Sequence, residues 1–185
     1  MSIAGVSWEG RVVCALHQTA IRTWPAHCGG SAYAMTVRPN VQLERGVSRL
    51  LQAIGWSGIF QVQFIRDLSG DHYLIDLNPR VYGSLALAVA AGLNLPGIWA
   101  DALLSRRPHV GDYCAGTRYR HEEYDLRALV RMLLDRKWRR FGRGCVPRRG
   151  TAHAIFSPRD PMPVLTSVER LARRLQVVKV TELFR

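Results

Sequence analysis

Lysine is almost missing from this chain of 185 residues: Lys137 and Lys179 are the only two, beside 24 arginines. The base composition of the coding DNA explains such a bias as well as chemistry does, so the bias alone carries no functional weight. Long apolar runs are also lacking. The longest apolar region, residues 85–95, is interrupted by Gly92 and falls short of the roughly 20 residues a spanning helix needs. No basic segment, apolar stretch and small-residue cleavage site follow one another near the N-terminus. The expectation is therefore a cytoplasmic protein with no membrane partner. Cysteine is sparse. Cys14, Cys28, Cys114 and Cys145 show neither zinc-site spacing nor a disulfide framework, so reduced, structural thiols are expected. Internal repeats and low-complexity tracts are absent as well.

What is present suffices for a globular core. Hydrophobic residues make up 48% of the chain, and the length suits one domain or one domain with an appendage. Charge is unevenly spread. Of the formal net charge of +12, about +2 lies in residues 1–100 and about +10 in residues 101–185. Arg106-Arg107-Pro108 reads as a boundary, dividing the chain into a first unit over 1–106 and a basic α/β extension over 107–185 to which no chemistry is assigned.

Periodicity sets the expected elements. Residues 11–16 and 32–37 read as strands. Asn40 is a plausible cap for a helix whose apolar face is Leu43, Val47, Leu50, Leu51 and Ile54, stopped by Gly55. Small-residue helices follow over 83–91 and from Pro96 to near Ser105. In the second part the pattern predicts a strand within 113–119, a helix over 122–139, a broken basic run over 136–149, a strand at 151–156 and a final helix from Thr166.

The most informative segment is a hairpin. Residues 59–66 and 73–77 are rich in β-branched and aromatic types, and Asp67-Leu68-Ser69-Gly70-Asp71 between them is a run of turn formers. Alternation puts Gln61, Gln63 and Ile65 on one face of the first strand, and Leu74, Asp76 and Asn78 on one face of the second. If Asp67 pairs with His72, Gln63 lies across from Asp76 and Gln61 across from Asn78. Directly paired residues have Cβ atoms about 5 Å apart. Oxygen donors so gathered suit a hard cation such as Mg²⁺ or Mn²⁺, which takes few protein ligands and completes its shell with phosphate oxygens. Arg80, just past the strand, has the planar fork that grips phosphate. Gly29-Gly30 permits close backbone approach to a ligand. The plainer alternative is a hairpin whose polar face is simply solvated.

Asp76-Leu77-Asn78-Pro79-Arg80 resembles the metal-binding strand of the ATP-grasp superfamily, an acidic residue and a spacer followed by Asn-Pro-Arg. That family usually has Glu on the preceding strand. Gln63, within Val62-Gln63-Phe64, is similar instead to the carbamoyl phosphate synthetase large-subunit branch. Ala26-His27-Cys28-Gly29-Gly30-Ser31 resembles its nucleotide-contacting loop, and Tyr82-Gly83-Ser84 the helix start after Asn-Pro-Arg. The likeness covers about 5–106. It implies an α+β fold, an antiparallel sheet with helices packed against it. It further implies binding of ATP and Mg²⁺ (or Mn²⁺), and ligation of a carboxylate to an amine or thiol through an acyl phosphate. By the same resemblance Gln63, Asp76 and Asn78 hold the metal, Arg80 serves the phosphates catalytically, and His27, Gly29, Gly30 and Ile65 contact the nucleotide. The family's glycine-rich loop and phosphate-binding lysine are not visible here. The expectation is thus the C-terminal large subdomain only, incomplete for catalysis alone and open to an upstream partner chain. A nucleic-acid partner for the basic segment 136–149, where Trp138 and Phe141 interleave with arginines, is the less favoured reading.

Overall fold

The computed structural model describes residues 1–26, 28–157, 159–167 and Glu169. The chain has an α+β fold. Its strands are β1 (Ser2–Trp8), β2 (Arg11–Trp24), β3 (Gly30–Val37), β4 (Gly58–Arg66), β5 (His72–Asn78), β6 (Arg118–Arg120) and β7 (Thr151–His153). Its helices are α1 (Val41–Ala53), α2 (Leu85–Ala90), α3 (Leu95–Leu103), α4 (Glu122–Leu134) and α5 (Trp138–Cys145). All seven strands join one sheet in the order β5-β4-β1-β2-β3-β6-β7. Neighbours run antiparallel except for the β6–β7 pair. The sheet thus continues past Arg107, because β6 pairs with β3 and β7 with β6. No helix among the described residues is long and apolar enough to cross a membrane.

The strand that sequence reading missed is β1, an interior strand between β4 and β2. Ser, Ala and Gly are poor strand formers, so its local signal is weak; burial on both faces overrides propensity. Ile3 packs with Phe60, Val62 and Phe64 of β4 and with Val47 and Leu51 of α1. Ala4 and Val6 point the other way, into a cluster with Leu16 of β2, Ile59 of β4, Ala88 of α2 and Leu95 and Ile98 of α3. At Gly5 an added Cβ would collide with the Cys14 carbonyl oxygen and reach the Phe60 ring at 3.0 Å. The close fit of β1 between its neighbours therefore requires glycine there.

Helix α1 starts as its sequence suggests. The Asn40 side chain accepts a hydrogen bond from the Leu43 N–H at 3.2 Å, and Gly55 follows the helix at φ +61°. The helix expected over 122–139 ends earlier, at Leu134. Arg136 adopts φ +57°, and the Asp135 carboxylate takes Arg131 at 3.0 Å and Lys137 at 2.9 Å, closing the turn. Within the basic run, residues 138–145 form α5. Gly144 lets that helix approach, since a side chain there would strike Leu129. Most of the helix expected from Thr166 lies outside the described residues.

Two polar contacts pin helices to the face of the sheet opposite α2 and α3. The Asp125 carboxylate of α4 is 1% exposed and meets Arg22 of β2 at 2.6 Å and Arg120 of β6 at 3.1 Å. Burial pushes this carboxyl up from the usual carboxylate range, while the two guanidiniums pull against that shift. His17 of β2 is wholly buried. Its Nδ1 accepts from the Asn40 N–H at 3.3 Å, and its Nε2–H donates to Glu44 Oε2 of α1 at 3.2 Å, the arrangement of a neutral ring. Burial holds its pKa below the ordinary 6.5 despite the opposing pull of Glu44.

Two outcomes follow. Asp125→Ala strands two guanidiniums in a low-dielectric setting and lowers unfolding free energy by about 3–5 kcal/mol, measured by urea denaturation. For His17, the unfolded chain takes up the proton first as pH falls below 6.5. Stability contributed by the neutral ring is therefore present at higher pH and lost on acidification. His17→Gln should flatten the dependence of melting temperature on pH between about 7 and 5; an equally steep profile would contradict this assignment.

Candidate functional site

On the face that carries α2 and α3, a cleft of about 560 Å³ opens between the β4–β5 hairpin and the ends of β2, β3 and β6. Its hairpin wall depends on strand register. Gln61 pairs with Asn78 and Gln63 with Asp76; beyond them Phe64 pairs with Leu74 and Arg66 with His72. The extra residue, Ile75, is a β-bulge in the edge strand. The Asp67–His72 pairing expected from the turn is thus replaced by Arg66–His72. The bulge then shifts the register by one, so that the expected pairs form at the polar end. It also re-aims Ile75, which lines the cleft beside Asp76 rather than facing away.

Gln63, Asp76 and Asn78 come together. Gln63 Nε2 donates to Asp76 Oδ2 at 3.3 Å, and Asn78 Nδ2 donates to the same oxygen at 2.6 Å. Behind them Gln61 Nε2 reaches Ser2 Oγ at 3.4 Å and is buried. Arg80 lines the cleft with an exposed guanidinium, whose Nη1 donates to the adjacent Val81 carbonyl at 3.2 Å. Ile65 lies on the same wall, 56% exposed and paired with Tyr73.

Across the cleft stand Gly29 and Gly30. Gly29 closes a turn, donating its N–H to the Pro25 carbonyl at 2.9 Å, and a Cβ there would overlap the Trp24 backbone. A Cβ on Gly30 would sit 3.2 Å from the Tyr124 ring. His27 lies outside the described residues. At the start of α2, Ser84 Oγ accepts from the buried Gln18 amide of β2 at 2.8 Å. This bond ties the end of the Asn-Pro-Arg segment to the middle of the sheet.

A third wall is absent from the sequence reading. Tyr119 of β6 and His121 and Tyr124 at the start of α4 also line the cleft. The Tyr119 hydroxyl donates to the Gly83 carbonyl at 2.8 Å, and burial lifts its pKa above the usual phenol range. The His121 and Tyr124 rings stack 4.0 Å apart at 8°. His121 Nδ1 is buried and has no hydrogen-bond partner among the described residues. Only the pairing of a three-residue strand brings these side chains here, and no local sequence signal carries that pairing.

A family model described as "ATP-grasp in the biosynthetic pathway with Ter operon" matches residues 1–124, a span that includes all three walls of the cleft. No curated protein matches the chain. The Gln18–Ser84 bond generates one expectation. Ser84→Ala leaves a buried amide without its acceptor and lowers unfolding free energy by about 1–3 kcal/mol, whereas Ser84→Thr retains most of it. Urea unfolding of the two variants measures the difference.

Proposed function

This chain belongs to the ATP-grasp family, and we propose that its cleft binds ATP together with a divalent cation for an ATP-dependent ligase that activates a carboxylate. ATP binding and ligase-like chemistry are general in the family. The observation that supports the finer reading is the convergence of Gln63, Asp76 and Asn78 on one wall, with Arg80 beside them and Gly29-Gly30 opposite.

The donor set fits Mg²⁺ or Mn²⁺ by chemistry. One carboxylate and two amides offer only oxygen to a cation, as hard divalent ions prefer. Among the described residues no cluster of three His, Cys, Asp or Glu side chains forms a closed cage. A site with so few protein charges suits an ion that shares its shell with phosphate oxygens. Both amides at present donate N–H groups to Asp76, so each must turn over to offer its oxygen. When bound, the ion would withdraw charge from the phosphate oxygens. Arg80 would add a fixed positive charge on the same phosphates. Ile65 and Ile75 give an apolar surface for the base, and the bare backbone at Gly29 and Gly30 admits the nucleotide closely. His27 is assigned to nucleotide contact by resemblance alone. In the proposed reaction a carboxylate oxygen of the substrate takes the terminal phosphoryl group and ADP leaves. An amine or thiol then attacks the carbonyl carbon and displaces phosphate.

Titration calorimetry with a non-hydrolysable ATP analogue tests this reading. Binding is expected to be weak and Mg²⁺-dependent. Asp76→Ala should abolish it, and Gln63→Glu, which adds the second carboxylate, should tighten the cation requirement. Unchanged affinity in Asp76→Ala rejects the metal assignment, and silence at millimolar analogue rejects nucleotide binding by this chain.

A further inference from the structure

The opposite face of the sheet carries a second cavity, of about 490 Å³, that shares no lining residue with the cleft. Strand alternation separates the two. Tyr33 and Met35 of β3 and Arg118 and Arg120 of β6 line this cavity, whereas the intervening Ala34 and Tyr119 pack with Leu87 of α2.

Six guanidiniums surround it: Arg22, Arg118, Arg120, Arg140, Arg143 and Arg148. Among the described residues no acidic side chain lines it. The one carboxylate beneath, Asp125, is already shared between Arg22 and Arg120. Among the described residues no carboxylate lies within ion-pair distance of Arg118, Arg140, Arg143 or Arg148. Two of the six are held in place before any ligand arrives. Arg22 and Arg120 are fixed by Asp125, and both lie near the buried Tyr33 ring, at 4.8 and 5.5 Å from its centroid. Arg120 also donates to the Gly144 carbonyl at 3.1 Å, which draws α5, with Arg140 and Arg143, over the cavity. The floor is apolar, with Tyr33, Met35 and Met132.

We infer that this cavity is a binding site for a small, multiply charged anion of the phosphate class. Planar guanidiniums match phosphate oxygens in pairs, and fixing two of them beforehand lowers the ordering cost of binding. The volume lies within the range of small-molecule sites, about 300–1,000 Å³. Like charges around one concavity, four of them with no carboxylate partner among the described residues, make a ligand with several negative groups the matching partner. A single-stranded nucleic acid would call for an extended basic track with stacking faces exposed along it; here the tyrosine is buried in the floor. The inference uses none of the cleft residues and does not depend on the function proposed for them.

The test is calorimetric titration of the full chain with inorganic tripolyphosphate in metal-free buffer near 0.15 M salt. Citrate and a short single-stranded oligonucleotide serve as the other arms. Saturable binding of tripolyphosphate is expected, equal in wild type and Arg80→Gln, which removes the cleft's guanidinium. The double variant Arg143→Gln/Arg148→Gln, altered at two exposed positions, should weaken it by about tenfold or more. Arg118→Gln is a second, independent variant with the same expected direction. The inference is overturned by absence of saturable binding at millimolar tripolyphosphate, or by affinity indifferent to these arginines. Equal loss in Arg80→Gln also overturns it, because the anion would then sit in the cleft. Citrate binding as tightly as tripolyphosphate removes the phosphate class. An oligonucleotide binding more tightly through the same arginines makes the surface one for nucleic acid.

Discussion

The pairing of β4 with β5 is the constraint on which the candidate chemistry rests. A strand shifted by one residue turns all its side chains to the other face. Here Asp76 and Asn78 face Gln63 and Gln61 only because the pairing advances by one residue at Ile75. Without that bulge the spacing set at the turn would carry through. The carboxylate would then miss its amide partner, and the oxygen donors would be divided between two environments. An irregularity in an edge strand, the cheapest place for one, thus brings the polar triad into line.

Behind the hairpin the sheet is asymmetric in its use of charge. One face is stitched by neutral contacts, such as the Gln18–Ser84 bond, and leaves its polar groups open toward the cleft. The other is stitched by ion pairs, with Asp125 neutralising part of an arginine group and leaving the remainder facing a cavity. Part of the strong positive bias of residues 101–185 is therefore gathered around one concavity. Five of the six cavity arginines come from that part of the chain, and Arg22 of β2 joins them from across the sheet.

Elements whose signal is local are legible in the sequence. The α1 cap at Asn40, the turn formers at 67–71 and the alternation of β4 all express preferences of a few neighbouring residues, and they stand where expected. The meeting of Gln63, Asp76 and Asn78 is legible for the same reason, since a short hairpin makes sequence separation a guide to contact. What escapes is long-range. Strand β1 has small residues whose extended form is imposed by β2 across a tight turn and by β4, whose partners lie more than fifty positions away. The bulge at Ile75 leaves no compositional mark. Nor does the delivery of Tyr119, His121 and Tyr124, which hangs on three residues of β6 pairing with β3. The hydrogen-bonded ladder continues past residue 106 through β6 and β7.

Consecutive residues at the start of α4 look in opposite directions. The ring of Tyr124 borders the cleft, while the carboxylate of Asp125 anchors arginines on the reverse side. One peptide unit of α4 therefore borders the surroundings of both these hollows. A displacement of that first helical turn cannot reshape one hollow and spare the other, so the five positions from His121 to Asp125 answer to two sets of geometric demands at once and have little room to drift.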